Sequence, residues 1–173
     1  MTLSIFNGRY TARIEGDFVV FLIGARINSW RKLPRLAWIG QANSAMYRVL
    51  EANLDYGYLG GEGFTRNFFR ESINVTYWRS YEHLERFARS QDDPHLEAWR
   101  RFNREIASDG SFGIWHETYL VKASSYECVY GNMPLFGLAK ATEHLPMTGR
   151  NQTARGRLTG EELPVPTDVV IYS

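Results

Sequence analysis

The sequence predicts an α+β fold in which helices cover one face of a four-stranded antiparallel sheet. Three observations lead to this prediction. Four runs rich in β-branched and aromatic residues are typical of strands. Apolar residues at helical spacing fill the interval between the first and second runs, and again the interval between the third and fourth. The resulting order, β-α-β-β-α-β, is that of the split βαβ or ferredoxin-like arrangement.

The four strands are predicted from residue type and alternation. Phe18–Ile27 is apolar on both faces, which is typical of a central strand. Tyr56–Phe64 contains four glycines but matches neither the dinucleotide-binding nor the phosphate-loop motif. We therefore expect a kinked strand whose backbone passes close to a neighbour or a ligand. Ile73–Arg79 and Gly113–Val121 are the third and fourth strands.

The helices are predicted from capping residues and apolar stripes. Pro34 suits the first turn of a helix that continues to about residue 53. Ser80 is a natural N-cap for the second helix. Asp93 and Pro94 supply a second N-cap and first-turn pair, so this helix restarts there and ends before Gly110.

Length and composition predict a single ferredoxin-like domain over residues 1–173, large enough for a sizeable core. Residues 1–16 are expected to form an arm, and residues 148–173 an extended C-terminal arm, because both are turn-rich with little periodicity. The N-terminus has no signal-peptide pattern, and Phe18–Ala25 is too short to cross a membrane. We expect a cytoplasmic protein.

Charge, cysteine content and aromatic content bound the classes of partner. A formal net charge of +1 provides no general attraction for nucleic acid or membrane. Cys128 is the sole cysteine, which excludes an internal disulfide and a cysteine-cluster metal site. The aromatic fraction of 14% is typical of an apolar cavity, a wide subunit interface or an aromatic core. Because the strands are apolar on both faces, we expect a homodimer in which a second copy covers the open face of the sheet.

Several long stretches resemble a monooxygenase-like family of bacterial and fungal proteins. They are GRYTARIEGDFVVFLIGARIN, VTYWRSYEHLERFAR, HLEAWRRFNREI, GIWHETYLV and YGNMPLFGLAKA, and the resemblance extends from about Gly8 to Leu158. This family is related to a monooxygenase of fumagillin biosynthesis and belongs to the dimeric α+β-barrel superfamily. The resemblance implies a ferredoxin-like fold, a homodimer and an oxidation reaction.

More distant resemblances imply a haem group. YWRSYEHLERFAR is similar to a stretch of spheroidene monooxygenase, a haem protein, and the haem-containing aldoxime dehydratases share the superfamily fold. In haem-degrading monooxygenases, a strand ending in Tyr-Trp and Ser leads into the helix with the haem-ligating histidine. By that pattern Tyr77, Trp78 and Ser80 lead towards His95, which implies haem b held by His95 beside Tyr77 and Trp78. Other superfamily members oxidise quinol-like polyketides without a cofactor.

His95 is predicted to lie near a helix N-terminus, with Trp99 on the same side by helical spacing. There the helix dipole disfavours the imidazolium and leaves a neutral imidazole, which can ligate iron or act as a base. The alternative is a histidine that helps to cap the restarted helix.

His116 and Glu117 are adjacent on the fourth strand, so they point to opposite faces and cannot form a direct pair. His116 is a candidate base or second ligand, and the alternative is a hydrogen-bonded core histidine. Glu117 is a candidate general acid, and the alternative is an ion pair with an arginine such as Arg79 or Arg26.

The predicted functional site is an apolar pocket between the sheet and the helices that takes a small apolar or aromatic molecule. Besides the candidate catalytic residues, the predicted contacts of the cofactor and substrate are Tyr77, Trp78, Arg79, Trp99 and Tyr119. As an enzyme, the protein is predicted to be a monooxygenase-like oxidoreductase, with haem or without a cofactor. The alternatives are a haem lyase of the aldoxime-dehydratase kind and a protein that binds haem or a small metabolite without turnover.

Overall fold

The computed structural model describes residues 3–31, 37–90, 100, 104 and 110–161. They belong to two compact units. Val19–Tyr119 forms one, which we call the sheet–helix unit, and Met1–Phe18 with Leu120–Ser173 forms the other, which we call the terminal unit. The prediction of a single domain stays a prediction.

The described residues form strands, helices and two 3-10 turns. The strands are β1 (Phe6–Arg13), β2 (Phe18–Ile27), β3 (Tyr58–Arg66), β4 (Glu71–Trp78), β5 (Phe112–Val121), β6 (Tyr130–Met133) and β7 (Glu143–Pro146). The helices are α1 (Ala37–Ala52), α2 (Tyr81–Arg89), α3 (Leu138–Ala141) and α4 (Ala154–Thr159), and Leu54–Tyr56 and Gly149–Gln152 are single 3-10 turns. Most of the helix predicted from Pro94 lies outside the described residues.

The sheet–helix unit contains a four-stranded sheet in the order β3-β4-β2-β5. Strand β4 pairs antiparallel with β2, where Trp78 lies opposite Val19, and antiparallel with β3, where Trp78 lies opposite Tyr58. This sheet order, with α1 between β2 and β3 and α2 between β4 and β5, is the arrangement of a ferredoxin-like fold. The predicted fold class is confirmed.

Helices α1 and α2 pack against one face of this sheet through a single apolar cluster. Its buried members are Val19, Leu50, Trp78, Leu84 and Phe87. The indole N–H of Trp78 donates to Oγ1 of Thr76 at 2.9 Å, and that hydroxyl donates to the carbonyl of Phe21 at 2.9 Å. The one polar group of the buried indole is therefore satisfied, which avoids a desolvation penalty.

Ser80 starts α2 as predicted. Its hydroxyl accepts a hydrogen bond from the backbone N–H of His83 at 3.4 Å and lies 2.9 Å from Nδ1 of the same residue. The His83 ring covers Gly57, which has φ of +69° and could not carry a Cβ without overlapping that ring. The cap therefore also fixes the turn that leads into β3.

The glycine-rich run forms the kinked strand that the sequence predicts. The pairing register of β3 shifts between Tyr58 and Gly60, and Gly60 has φ of +144°. A Cβ on Gly61 would lie 2.7 Å from the carbonyl oxygen of Val75. This close approach to β4 requires glycine at position 61.

The terminal unit contains a three-stranded antiparallel sheet in the order β6-β1-β7. The expectation of an N-terminal arm is wrong for Phe6–Arg13, because this segment is the central strand, with Tyr10 opposite Tyr130 and Thr11 opposite Leu145. Part of the predicted extended C-terminal arm is helical, since Gly149–Gln152 and α4 lie within it. Residues 162–173 lie outside the described residues.

We expect that Gly24→Ala destabilises the protein, because a Cβ on Gly24 would overlap the indole of Trp115. The cost should be about 1–3 kcal/mol of unfolding free energy, measured by urea denaturation. Gly113→Ala in β5 is the matched control, because its nearest neighbour beyond the chain, Nδ2 of Asn28, is 3.7 Å away. Equal losses in the two variants would contradict the close contact.

Candidate functional site

A cavity of about 310 Å³ lies between helix α1 and the β3–β4 side of the sheet in the sheet–helix unit. Three stretches supply its described lining: residues 43–51 of α1, residues 58–63 of β3, and Asn74 of β4. A cavity therefore lies between sheet and helix, where the sequence predicts a pocket. Its lining is polar and aromatic, whereas the predicted pocket is apolar.

One stripe of α1 faces this cavity. Asn43, Tyr47 and Glu51 line it and are spaced four residues apart, so they lie above one another on one side of the helix. Ser44 and Arg48 line it from the adjacent stripe. The spacing of these residues at i, i+4 and i+8 could have indicated a polar side of α1. Only the apolar stripe of the same helix was considered from the sequence, and the polar side was therefore missed.

Glycines of β3 form the other side of the cavity. Gly61 pairs with Thr76 and Gly63 pairs with Asn74, so both lie on the face of the sheet that α1 and α2 cover. Side chains at these two positions would occupy space beside α1. The glycines that permit the kinked strand therefore also leave room for the cavity.

Two tyrosines join the cavity to the core. The ring centroids of Tyr47 and Tyr58 are 6.0 Å apart, and the Tyr58 ring packs edge-on against Trp78 at 5.4 Å. Burial, with a smaller contribution from Tyr58, raises the pKa of Tyr47 above its ordinary value. Burial, reinforced by the charges of Glu51 and Glu62, raises the pKa of Tyr58 to about 12. Both phenols are therefore protonated at neutral pH and can donate hydrogen bonds.

The residues predicted to line the pocket from β4 lie apart from this cavity's described lining. Trp78 is buried in the core, tilted against Phe87 at 5.5 Å. Tyr77 points to the opposite face of the sheet by alternation and is half-buried. Arg79 is exposed, and its backbone N–H donates to the carbonyl of Gly57 at 2.8 Å.

The candidates on β5 point to both faces, as alternation requires. His116 is exposed, with its ring centroid 5.7 Å from that of Phe21. Glu117 accepts a hydrogen bond from the Tyr119 hydroxyl at 2.6 Å, and this bond raises the pKa of Tyr119. Arg26, one of the arginines expected to pair with Glu117, forms an ion pair with Glu71 at 2.6 Å.

The described residues of the cavity do not fit a haem-iron ligand set. Axial ligands of haem are imidazole, thiolate, thioether or phenolate. Of these groups the described lining offers the phenols of Tyr47 and Tyr58, whose raised pKa values disfavour the phenolate. His95, the predicted ligand, and Trp99 lie outside the described residues, so their roles stay predictions.

Metal clusters and membrane spans are both absent from the part of the chain that the structure describes. There, no group of three or more histidine, cysteine, aspartate or glutamate side chains could hold a metal ion. None of the helices described in it is long and apolar enough to span a membrane.

The family model of monooxygenase af470-like proteins matches residues 18–138 of this chain. The protein belongs to the monooxygenase af470-like family. The match confirms the resemblance seen in the sequence and includes every described residue that lines the α1–β3 cavity. A curated relative, "Monooxygenase af470" of Aspergillus fumigatus, is 28% identical over 147 residues, which cover 74% of this chain and 52% of that protein. This af470-like chain therefore spans about half the length of that relative.

Two solved structures share the fold of this af470-like protein. An aldoxime dehydratase in complex with butyraldoxime is 19% identical with a TM-score of 0.63, and the match covers 80% of this chain and 43% of that chain. A second aldoxime dehydratase structure is 20% identical with a TM-score of 0.63, and the match covers 80% of this chain and 44% of that chain.

We expect the Tyr58 phenol to resist ionisation, because burial opposes the phenolate and Glu51 and Glu62 add negative charge nearby. In ¹³C NMR spectra of labelled tyrosine, the Tyr58 Cζ resonance should keep its phenol position at about pH 11. Tyr58→Phe assigns the resonance, and amide spectra confirm that the protein stays folded. A titration midpoint near the ordinary value of 10.0 would contradict the buried environment.

Proposed function

We propose that this protein oxidises a small aromatic molecule, of the phenol or hydroquinone class, in the cavity between α1 and β3. The observation that carries the proposal is the composition of the cavity: two tyrosine rings beside amide and carboxylate side chains. Membership of a monooxygenase-like family supports an oxidation.

The polarity of the lining narrows the class of substrate. A cavity of about 310 Å³ lies at the small end of the range for ligand pockets. Tyr47 and Tyr58 offer ring surface for aromatic contacts, and the amides of Asn43 and Asn74 offer hydrogen bonds to hydroxyl or carbonyl oxygens. A purely apolar molecule would leave these polar groups without partners, which costs binding free energy. An oxygen-substituted aromatic ring satisfies both kinds of surface.

A carboxylate of the lining supplies a proton acceptor. Oxidation of a phenolic substrate by oxygen is easier from the phenolate than from the neutral phenol, so a base next to the ring promotes it. Glu51 lines the cavity from α1 and takes that role in our proposal, whereas the side chain of Glu62 points to the opposite face of the sheet, since Glu62 pairs with Val75. His95, predicted as base or ligand, and His116, predicted as base, are the alternative acceptors.

Asn74→Leu should weaken hydroquinone binding by about tenfold or more, because it removes an amide from the cavity while conserving volume. Isothermal titration calorimetry measures the affinity, and an oxygen electrode measures consumption with hydroquinone. Ser72→Ala is the matched control, since Ser72 lies on the same face of the same strand but outside the described cavity lining. Unchanged binding and oxygen consumption in Asn74→Leu would place the substrate elsewhere.

A haem-dependent reaction is the second candidate, favoured by the resemblance that leads from Tyr77 and Trp78 towards His95. We expect protein titrated with hemin to gain a Soret band in that case, and His95→Ala to abolish it. His116→Ala is the control that keeps the band if His95 is the ligand. Protein that gains no Soret band would contradict haem binding.

The aldoxime dehydratases that share this fold favour one more reaction, the dehydration of an aldoxime. Conversion of butyraldoxime to its nitrile by hemin-loaded protein, without oxygen consumption, would identify a lyase. Binding of hydroquinone or hemin with neither reaction would identify a binding protein.

We propose in addition that the protein is a homodimer joined through the sheet face opposite Trp78. Gly24 lies on that face, and the indole of Trp115 packs over Gly24. Trp115 itself is 41% exposed. Tyr119 on the same side of β5 is 52% exposed, and Phe64 of β3 is 42% exposed. Exposed aromatic residues gathered on one sheet face are typical of subunit interfaces.

Tyr119→Glu should dissociate the dimer, because it adds a charge beside Glu117 on the proposed interface. Multi-angle light scattering at micromolar concentration measures the mass. Tyr81→Glu is the matched control, because Tyr81 is 43% exposed on α2. A monomeric wild-type protein at the same concentration would contradict the proposed dimer.

A further inference from the structure

The terminal unit contains a second cavity, of about 240 Å³, to which the family match assigns nothing. Its described lining comes from three parts of the chain. The first is the end of β1 and the turn after it, the second is the segment that follows β5, and the third is the 3-10 turn at Gly149–Gln152 with α4. The lining residues are Thr11, Ala12, Arg13, Ile14, Gly16, Ala123, Ser124, Tyr126, Asn151 and Arg157. Two of these parts lie outside the residues that the family model matches. Arg13 and Arg157 line it, and each forms an ion pair with a glutamate outside the described lining, Arg13 with Glu143 and Arg157 with Glu127.

Arg157 is the central polar group of this cavity. Its side chain is only 7% exposed. Its Nε and Nη2 donate to the same oxygen, Oε2 of Glu127, at 2.9 and 2.6 Å. Its Nη1 donates to the carbonyl of Asn151 at 2.8 Å. A guanidinium has five N–H groups, so one donor on each terminal nitrogen has no partner among the described residues.

The unused donors on the terminal nitrogens lie in the plane of the guanidinium. Such in-plane N–H groups are the donors with which arginine binds a carboxylate. Glu127 occupies the edge of the guanidinium formed by Nε and Nη2, so the second N–H of Nη2 points away from Glu127.

Tyr126 supplies a further donor in the same cavity. Its hydroxyl accepts the backbone N–H of Ile14 at 2.8 Å, whereas the nearest acceptor for its own proton, the Ile14 carbonyl, is 3.5 Å away. That longer contact is at the limit of a hydrogen bond. The Tyr126 proton is therefore available to a bound oxygen.

Three backbone N–H groups of the cavity already have partners within the protein. Phosphate sites in proteins usually offer several free backbone N–H groups. In this cavity the N–H of Ala12 donates to Sγ of Cys128, that of Ile14 to Tyr126, and that of Ala123 to Oδ1 of Asp17. These three N–H groups are therefore not available to a bound anion, and the side chains of Arg157 and Tyr126 supply the donors that the proposal uses.

We propose that this cavity binds a small organic acid, whose carboxylate is held by the unused N–H groups of Arg157 and the hydroxyl of Tyr126. The hydrocarbon part of the acid lies against the apolar lining, which includes Ala12 and Ile14. The site belongs to the terminal unit and stands independently of the oxidation proposed above.

Titration of ¹⁵N-labelled protein with acetate, succinate and inorganic phosphate at matched ionic strength tests the proposal. Either carboxylate should shift the Nε–Hε resonance of Arg157 saturably, and phosphate should bind at least about tenfold more weakly. Absence of a saturable shift with either carboxylate, or phosphate binding of equal strength, would overturn the assignment.

Three variants separate a binding role from a structural ion pair. Arg157→Gln should weaken carboxylate binding at least about tenfold, whereas Arg155→Gln on the same helix should not, because Arg155 is 69% exposed and pairs with Glu161. Glu127→Gln should strengthen binding, since it removes the negative charge that competes for Arg157. A merely structural ion pair predicts no gain in that variant.

A fourth variant keeps the test decisive if Arg157→Gln fails to fold. Tyr126→Phe keeps the ring, which packs edge-on against Phe18 at 5.1 Å, and removes only the hydroxyl. It should weaken carboxylate binding. Unchanged affinity in Tyr126→Phe together with no gain in Glu127→Gln would overturn the proposal.

Discussion

The packing of Trp78 is the contact on which the sheet–helix unit depends. This one indole, 2% exposed, belongs to the buried cluster that joins α1 and α2 to the sheet, and it packs against Tyr58 of β3 and Phe87 of α2. Its loss would remove several kilocalories per mole of burial and leave a cavity in the centre of the unit. Its N–H is satisfied within β4 by Thr76, so no ligand is needed to compensate it. The strand that the family resemblance associates with a cofactor thus also forms the core.

The same packing explains why the α1–β3 cavity exists. The ring of Tyr58 on β3 packs against Trp78, and the ring of Tyr47 on α1 packs against Tyr58. The core therefore fixes the position of both rings. Beyond them, Gly61 and Gly63 line the cavity without side chains. Rigid aromatic walls with a few polar groups are the usual construction of a small-molecule site. The cavity thus depends on core packing at one end and on missing side chains at the other.

Much of the fold could be predicted from the sequence because its signals are local. The β-branched run Phe18–Ile27, the Ser80 cap and the glycines before β4 each specify their element without distant partners. Strand β1 was missed because its partners, β6 and β7, lie more than 100 residues away, and its own composition is polar. Alternation also showed that Trp78 and Tyr77 lie on opposite faces, but not which face the helices cover.

The candidate site was less predictable than the fold. The sequence predicted a site of histidines in an apolar pocket. The described cavity is instead lined by polar residues of α1 such as Asn43 and Glu51. Helical spacing could place these residues on one side of α1, but it could not show that this side faces β3. The family resemblance was confirmed, because it rests on long motifs and not on single residues. His95 stays a prediction that awaits the Soret measurement.

The most direct test of the central claim is a crystal structure of the protein soaked with hydroquinone. We expect an aromatic ring between α1 and β3, in contact with Tyr47 or Tyr58 and with an oxygen near the amide of Asn74. A ring bound only elsewhere, for example on the exposed face around Trp115 and Tyr119, would contradict it.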